Sequence, residues 1–335
     1  MRSIRLSLCS IILFATCFQT VFATSSINSA FLKRHEVQVF IDEMVSQHGF
    51  KRKDLSDIFM QVTFPKQVIK KSNKPAEAMT WERYKSIVVS DRKVKGGIAF
   101  WKKYKKDLVR AHKKYGVPIE VIVATIGVES AYGQNTGKYR VIDSLTNLAF
   151  NYPRREKFFK SELKEYLLLT KEMKLDPLEL MGSYAGAIGQ PQFMPSSYRR
   201  YAVDFSGKHY IDLVHNEVDV IGSIGNFYNR HGWHRGDPIA SPAGISGNQF
   251  YKAMSSSRHP KLTLSDLQHY GVIPEKHYFN NYKANLISLK INKIDNFWVT
   301  FDNFYAIKRY NPSTYYAMAI FQLSQKIKKG YESTA

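Results

Sequence analysis

The chain has 335 residues, 44% of them hydrophobic, so it can bury a sizeable core and by length alone suggests about two domains. Its formal net charge of +21 favours an anionic partner such as nucleic acid, anionic lipid or an acidic polymer. Lysines are spread along the chain, and neither an RNA-binding signature nor zinc-finger spacing occurs, which argues against a nucleic-acid-binding protein.

Residues 1–23 have the layout of a secretory signal peptide, with two arginines, an apolar run over 6–22 and the small residue Ala23 at the end. The run is short for a membrane-spanning helix, so a retained anchor is the less favoured alternative. The chain's two cysteines, Cys9 and Cys17, lie in this segment, and the residue before Cys17 is not the Gly or Ala usual in bacterial lipoproteins. We therefore expect a soluble exported protein without disulfides.

The remaining chain is predicted from apolar spacing and from Gly and Pro positions. In order, the predictions are two short helices over 30–62, an extended connection over 63–82, a long helix over 91–115 capped by Ser90, a central helix over 118–131, a segment starting at 144, a helix over 152–173, a Gly- and Pro-rich stretch over 181–195, a helix over 217–230, turns and short strands over 238–312, and a last helix over 313–328.

The central helix carries one carboxylate of special interest. Residues 119–128 include only two polar side chains, which predicts a helix buried on nearly all sides, and Glu129 follows shortly before Gly133. A buried, unpaired carboxyl has a raised pKa, which suits a general acid near neutral pH. A structural ion pair or simple exposure at the helix end would give the same pattern, and on this stretch alone the structural interpretation is favoured.

A second informative stretch, residues 182–198, is rich in glycine and nearly free of charge. Ser183, Gln190 and Gln192 offer neutral hydrogen-bonding groups beside aromatic and apolar side chains, a mixture that suits sugar recognition. No Gly-Lys-Ser/Thr follows, so the stretch is not a phosphate-binding loop. A Gly-rich turn between two helices is an equally good interpretation of this stretch alone.

Several motifs occur in one order with compatible spacing: Gly-Val-Glu-Ser-x-Tyr-Gly at 127–133, Asn-Tyr-Pro-Arg-Arg at 151–155, the stretch 182–198, Tyr-Ala-Val-Asp-Phe-Ser-Gly at 201–207, His-Gly-Trp at 231–233 and Arg-Tyr-Asn-Pro-Ser at 309–313. Together they resemble the bacterial B-type lytic murein transglycosylases over residues 35–330. The resemblance implies an α+β, predominantly α fold in one catalytic unit over 24–335. Its lysozyme-like core would span 91–235, with flanking helical and small β parts over 24–90 and 236–335.

The resemblance also implies the site and its chemistry. Glu129 matches the catalytic glutamate, acting first as acid and then as base in cleaving the bond between N-acetylmuramic acid and N-acetylglucosamine, with a 1,6-anhydro product and no cofactor. The expected partners are periplasmic peptidoglycan strands, and cell-wall synthesis proteins are a further candidate class. The matching substrate-binding candidates are Ser183, Gln192 and Phe193 near the scissile sugar, the pair Arg154 and Arg155, and Tyr84, Tyr310, Asn311 and Tyr316 in the cleft.

One departure from the family concerns a metal. Relatives carry an EF-hand-like calcium loop, which would start here at Asp204 and continue through Ser206. Lys208 stands where a ligand aspartate is expected, and His215 stands at the closing acid. Calcium needs several oxygen ligands, so we expect a weak or absent calcium site, with the charge of Lys208 as a candidate substitute for the cation.

Two alternatives stay open at this stage. A muramidase of the same fold would hydrolyse the bond with water and would need a second carboxylate near Glu129. Glu120 lies more than two helical turns away, whereas the sequence does not show where Asp143 folds. A cell-wall-binding protein without activity would use Glu129 only structurally.

Overall fold

The computed structural model describes residues 26–73, 79–254 and 259–334, so the predicted signal peptide lies outside the described residues. These residues form two compact units. The first comprises 26–73, 137–187 and 194–196, and the second comprises 79–136, 188–193 and the described residues from 197 onward. The predicted core over 91–235 therefore contributes residues to both units.

Helices make up most of the regular structure, which confirms the predicted α+β, predominantly α class. In chain order they are α1 (His35–His48), α2 (Arg52–Phe59), α3 (Lys66–Ser72), α4 (Trp81–Val88), α5 (Asp91–Lys103), α6 (Lys105–Tyr115), α7 (Ile119–Ser130), α8 (Val141–Asn151), α9 (Glu156–Met173), α10 (Pro195–Tyr201), α11 (Glu217–Arg230), α12 (Leu264–His269), α13 (Asp302–Tyr310) and α14 (Thr314–Glu332). Short 3₁₀ helices lie at Pro153–Arg155 and Phe250–Ala253.

The strands form two antiparallel sheets, one in each unit. They are β1 (Tyr139–Arg140), β2 (Met181–Gly182), β3 (Ala240–Ile245), β4 (Leu262–Thr263), β5 (Val272–Pro274), β6 (Lys283–Ile291) and β7 (Ile294–Phe301). In the first unit β1 pairs with β2. In the second unit the strand order is β4-β6-β7-β3-β5, and the β6–β7 hairpin places Lys290 opposite Asp295.

The first unit is built around α8, which is buried along almost its whole length. The ring of Phe150 on this helix lies 5.3 Å from that of Phe31 and 5.9 Å from that of Phe40. Burying such rings stabilises the unit by about 2 kcal/mol each. Because β1 leads directly into α8 and pairs with β2, this core also fixes the backbone that leads to Ser183.

The second unit is built around α7, which packs against α5, α6, α11 and α14. Residues 121–127 of this helix are all buried, as their apolar character predicts. A separate apolar cluster lies under the five-stranded sheet and includes Val272, Leu286 and Val299. The predicted central helix is therefore the core helix of this unit.

Three predictions of local structure were wrong. Residues 66–72 form a helix where an extended connection was predicted. The predicted long helix over 91–115 is divided into α5 and α6 at Tyr104, and Ser90 makes no side-chain capping hydrogen bond. Helix α13 lies within the stretch predicted as turns and strands; its sequence is rich in aromatic residues, whose intrinsic helix preference is modest, and it is stabilised by the burial of residues 303–307.

Within the described residues, no helix combines the length and apolar character needed to cross a bilayer.

Candidate active site

Glu129 lies in the last turn of α7, where the apolar core of the second unit gives way to partly accessible surface. The Tyr316 hydroxyl on α14 donates a 2.5 Å hydrogen bond to Glu129 Oε1. Burial raises the pKa of the Glu129 carboxyl to about 7, although the Tyr316 hydrogen bond and the charge of Lys93 both act in the opposite direction. A carboxyl with this pKa is protonated in a large fraction of molecules near neutral pH, as a general acid must be.

Helix α7 ends at Ser130, and the turn that follows is held by Tyr132. Ala131 and Tyr132 both adopt positive φ, at 51° and 60°, which is uncommon for residues other than glycine. The Tyr132 hydroxyl donates a 2.6 Å hydrogen bond to the Lys93 carbonyl on α5. This contact compensates for the unfavourable backbone and ties the turn after Glu129 to α5.

Three tyrosines enclose the carboxyl on the α11, α13 and α14 side. The Tyr310 and Tyr316 rings are stacked at 6.3 Å, and the Tyr228 ring lies 5.7 Å from that of Tyr310. Burial, followed by the charge of Glu129, raises the pKa of Tyr310 and of Tyr316 above the ordinary tyrosine value. These phenols therefore stay neutral when Glu129 titrates, and they act as hydrogen-bonding and packing groups.

Lys93, Tyr228 and Thr125 were missed by the sequence analysis. Burial lowers the pKa of Lys93, while the nearby Glu129 raises it. Tyr228 and Thr125 share a 2.8 Å hydrogen bond inside the unit. Tyr228 and Thr125 lie on helices predicted only as core, and Lys93 is one of many lysines, so no local pattern distinguished any of them from structural residues.

The titration of Glu129 predicts how activity depends on pH. The acid must be protonated in the free enzyme, so kcat/KM should be constant below about pH 6 and fall about tenfold per unit above pH 7. Tyr316→Phe removes a hydrogen bond that lowers the pKa of Glu129, so it should move this break to higher pH. Initial rates of glycan cleavage between pH 4 and 10 would measure both; a wild-type break near 4.5 would contradict the raised pKa.

Gln192 and Phe193, the predicted contacts to the scissile sugar, both have structural partners. Gln192, at a φ of 51°, donates through Nε2 to the carbonyls of Thr136 and Gly189, at 2.9 and 2.8 Å. Only its side-chain carbonyl therefore remains for a ligand. Phe193 is 2% exposed, and its ring packs 5.7 Å from that of Tyr310. Its buried ring supports Tyr310 instead of offering a face to substrate.

The other predicted cleft residues of the second unit lie close to Tyr316. Tyr310 donates a hydrogen bond to the Pro191 carbonyl, which ties α13 to the loop before Gln192. Asn311 Oδ1 accepts the backbone N–H of Ser313 at 3.0 Å, so its amide nitrogen is available for a ligand. Tyr84 packs at 6.0 Å against Tyr315, the neighbour of Tyr316.

Ser183 belongs to the first unit, where it follows β2. Its hydroxyl oxygen accepts the backbone N–H groups of Ala185 and Ala187, at 3.2 and 3.0 Å. These bonds fix the side chain within its own loop and leave the hydroxyl proton without an acceptor among the described residues. Ser183 is thus prepared to donate a hydrogen bond.

The arginine pair also belongs to the first unit. Arg154 and Arg155 are exposed on the 3₁₀ helix that precedes α9, beside a cavity of about 450 Å³ formed by residues 153–158. The Arg155 guanidinium lies 4.1 Å from the centre of the Phe158 ring, which holds its side chain by a cation–π contact. Two exposed cations at this point suit an anionic ligand.

Both candidates for a second catalytic carboxylate have structural partners within their own units. In the first unit, buried Asp143 accepts hydrogen bonds from Thr63 at 2.6 Å and from Arg140 at 2.8 Å. Its carboxylate therefore belongs to a structural ion pair with Arg140. In the second unit, Glu120 forms a 3.4 Å ion pair with Lys328. The charged group that affects the pKa of Glu129 is Lys93, and no carboxylate contributes to the shift of this pKa.

The loop that resembles a calcium site is held together by its own backbone. Asp204 accepts the N–H groups of residues 207–209 at 2.7–3.0 Å. Asp219 on α11, fully buried, accepts the N–H groups of Phe205 and Ser206 at 2.9 and 2.8 Å. The residues present do not fit a calcium ion, because these carboxylates already bind N–H donors. Lys208 contributes its backbone N–H; its side chain is exposed and forms no ion pair with Asp204 in the described structure.

Because the carboxylates of this loop already accept backbone hydrogen bonds, we expect calcium to have no effect on the stability of the protein. Titrating the chain with CaCl2 in a calorimeter should give no tight, near-stoichiometric binding, and calcium or a chelator should leave the melting temperature unchanged. A ligand at 1,000 times its Kd would instead add about 4 kcal/mol to the free energy of unfolding. A rise in melting temperature on addition of calcium would contradict this prediction.

Comparisons with known proteins show the family of the chain. The family described as transglycosylase SLT domain matches residues 33–325. The chain is 39% identical over 307 residues to membrane-bound lytic murein transglycosylase B of Escherichia coli K12, covering 89% of this chain and 84% of that protein. It resembles the solved structure of soluble lytic transglycosylase SltB1 from Pseudomonas aeruginosa at 41% identity, with a TM-score of 0.84 over 89% of this chain and 99% of that one. Slt35 of E. coli, solved in complex with calcium, is 40% identical with a TM-score of 0.83, over 90% and 95% of the two chains.

Proposed function

Because the chain belongs to the transglycosylase SLT domain family, we infer that it is a peptidoglycan lytic transglycosylase whose single catalytic carboxyl is Glu129. The substrate is the β-1,4 bond between N-acetylmuramic acid and N-acetylglucosamine. The family matches nearly the whole described chain, so the activity is assigned to the complete fold and not to one motif. The predicted lysozyme-like fold class is confirmed by the same matches.

The reaction needs one group that first gives and then accepts a proton. Protonated Glu129 donates its proton to the glycosidic oxygen as the bond to the muramic acid anomeric carbon breaks, and N-acetylglucosamine leaves. The 6-hydroxyl of the same muramic acid then forms a bond to that carbon and loses its proton to the Glu129 carboxylate. The enzyme returns to its starting state, and the product ends in 1,6-anhydromuramic acid without consumption of water.

The observation that carries this proposal is the carboxyl at the end of α7, held by Tyr316 and kept partly protonated by burial. Hydrolytic glycosidases of the usual two types use a second carboxylate to activate water or to form a covalent intermediate. In the described second unit no such group acts on Glu129. The single-carboxyl reaction therefore fits the site better than a muramidase mechanism.

Mass spectrometry of peptidoglycan digested by the purified chain tests the proposal. We expect muropeptides that end in anhydromuramic acid. Reducing ends in their place would support the muramidase, and a second carboxylate would then have to be sought. Binding of the chain to peptidoglycan without any released sugar would support the cell-wall-binding protein.

The location of this reaction is also part of the proposal. Peptidoglycan lies outside the cytoplasmic membrane, so the enzyme has to be exported, and residues 1–23 have the composition to direct that export. Without residues 1–23, which contain two arginines and no acidic residue, the formal charge is still +19; this charge would hold the enzyme near an anionic cell wall, because attraction at such a charge is long-range at low salt. We propose a periplasmic enzyme on this basis.

A further inference from the structure

A cavity of about 720 Å³ lies in the second unit, apart from the groups assigned to the reaction. Its wall is formed by the N-terminal end of α4, by the β6–β7 hairpin and by Tyr315 at the start of α14. Tyr315 precedes Tyr316, whose hydroxyl binds Glu129, and adjacent Cα atoms are about 3.8 Å apart. One residue of the wall is therefore the sequence neighbour of a residue that binds Glu129.

The two acidic residues of the wall already have structural partners. Glu82 Oε1 accepts the backbone N–H of Asn292 at 2.9 Å, which ties the hairpin turn to α4. Asp295 Oδ1 accepts the Ser288 hydroxyl at 2.6 Å, which links the two strands. These carboxylates fix the shape of the cavity.

The two lysines of the wall, in contrast to the acidic residues, have no charged partner in the described structure. Lys290 and Lys293 are exposed, and neither ammonium group has a hydrogen bond or an ion pair within the described part of the chain. Although Lys290 stands opposite Asp295 in the hairpin, the two side chains form no ion pair there. The cavity consequently presents two unpaired cations.

The backbone of Lys293 adds a separate observation. Asn292 and Lys293 form the two-residue turn of the hairpin, both at positive φ, 52° and 64°. Glycine is the usual residue at the second position of such a turn, and a lysine there carries a conformational cost. The turn thus keeps a charged side chain at a position where glycine would be easier to accommodate, which points to a use for that charge.

We propose that this cavity binds the acidic peptide carried by the muramic acid of the substrate, with Lys290 and Lys293 pairing with its carboxylates. The proposal rests on the proposed function. Tyr315, packed at 5.5 Å against Trp81, gives the cavity an aromatic wall. A peptide, in which carboxylates alternate with neutral amides, fits a cavity that also contains two acidic residues better than a dense polyanion such as nucleic acid does.

The test compares two substrates: glycan strands that carry their peptides, and the same strands after an amidase has removed them. With Lys290→Met/Lys293→Met, we expect kcat/KM on peptide-bearing strands to fall about five- to tenfold through a higher KM, and no change on bare strands. The loss should shrink at 0.5 M salt, because exposed charges are then screened. The double variant Lys261→Met/Lys276→Met, which removes two exposed lysines of the same unit outside the cavity, is the matched control.

Each outcome separates this proposal from the activity itself. An equal fall on both substrates, or no fall on either, would overturn peptide binding and leave the transglycosylase in place. Equal losses in both double variants would mean that only the overall charge matters, which also overturns the cavity. If the wild type released no anhydromuropeptide from either substrate, the proposed function would fail first.

Discussion

Glu129→Gln should reduce the release of anhydromuropeptides at least about a thousandfold while the chain stays folded. The amide has nearly the shape of the carboxyl and can still accept the Tyr316 hydrogen bond, but it can neither protonate the leaving oxygen nor accept the proton of the 6-hydroxyl. Both proton transfers use the carboxyl of Glu129, so its replacement blocks both steps of the reaction. The other acid on α7, Glu120, is too far away to take over either step. Rates of product release, measured by chromatography and mass spectrometry, would show the loss.

Glu120→Gln is the matched control on the same helix. Glu120 lies nine residues earlier, about 13 Å along the helix axis, and forms an ion pair with Lys328. Its replacement should change the rate by no more than about twofold, since such pairs contribute little. Substantial residual cleavage by Glu129→Gln would move the catalytic acid to another residue.

Glu129→Gln should stabilise the chain although it removes activity. Burial raises the pKa of Glu129 in the folded chain from 4.5 to about 7, so between these two pH values the unfolded chain is ionised at this position while the folded chain keeps the proton. The wild type should therefore lose stability as the pH rises from 4.5 to about 7, by an amount on the order of 2–3 kcal/mol, and stay at the lower level above pH 7, whereas Glu129→Gln should not. Similar melting temperatures at pH 4 and a higher one for the variant at pH 8 would confirm that the carboxyl is buried.

The central helix and its carboxylate were predictable because their signal is local. A run of ten residues with only two polar side chains has few alternatives to a buried helix, and a carboxylate at its end is conspicuous. The burial of residues 121–127 followed directly from that pattern. By contrast, the pKa of Glu129 is raised by burial in the folded chain and lowered by a hydrogen bond from Tyr316, which is 187 residues away, so only the family resemblance could suggest this partner.

Gly96 and Gly97 show why other parts of the site could not be predicted. In the sequence they only weaken a helix. In the structure a Cβ on Gly96 would lie 2.7 Å from the Tyr132 ring, and one on Gly97 would lie 2.7 Å from the Tyr132 hydroxyl. Both glycines make room for the side chain that holds the turn after Glu129. This reason is tertiary, and a one-dimensional pattern does not contain it.

The degenerate calcium loop shows a similar limit. The sequence indicated which ligands are lost, at Lys208 and His215, but not what would hold the loop in their absence. Asp219 supplies that function from the first turn of α11, where an acidic residue is ordinarily explained by the helix dipole. Asp219 accepts hydrogen bonds from four residues, and these can be identified only in the folded loop: Phe205, Ser206, Asp212 and Asn216.

Gly137→Ala should be among the most destabilising single substitutions in the first unit. Gly137 has a φ of 106°, and an added Cβ would lie 2.0 Å from the carbonyl carbon and oxygen of Gly182 and 2.4 Å from the Ser183 nitrogen. Backbone atoms of a paired strand cannot move aside as a flexible side chain can. Overpacking and the unfavourable backbone together predict a loss of about 3–5 kcal/mol in the free energy of unfolding.

The same substitution should also lower activity, because the atoms it displaces belong to Gly182 and Ser183. Gly236→Ala is the control: Gly236 also has a positive φ, 83°, but a Cβ there would meet nothing within 4 Å, so it should cost only about 1–2 kcal/mol. Denaturant unfolding followed by far-ultraviolet circular dichroism would compare them, since the four tryptophans all lie in the second unit and would not report on the first. If both substitutions cost the same, the close approach of Gly137 to β2 would not be a constraint, and the position of Ser183 would have to be fixed by its own loop alone.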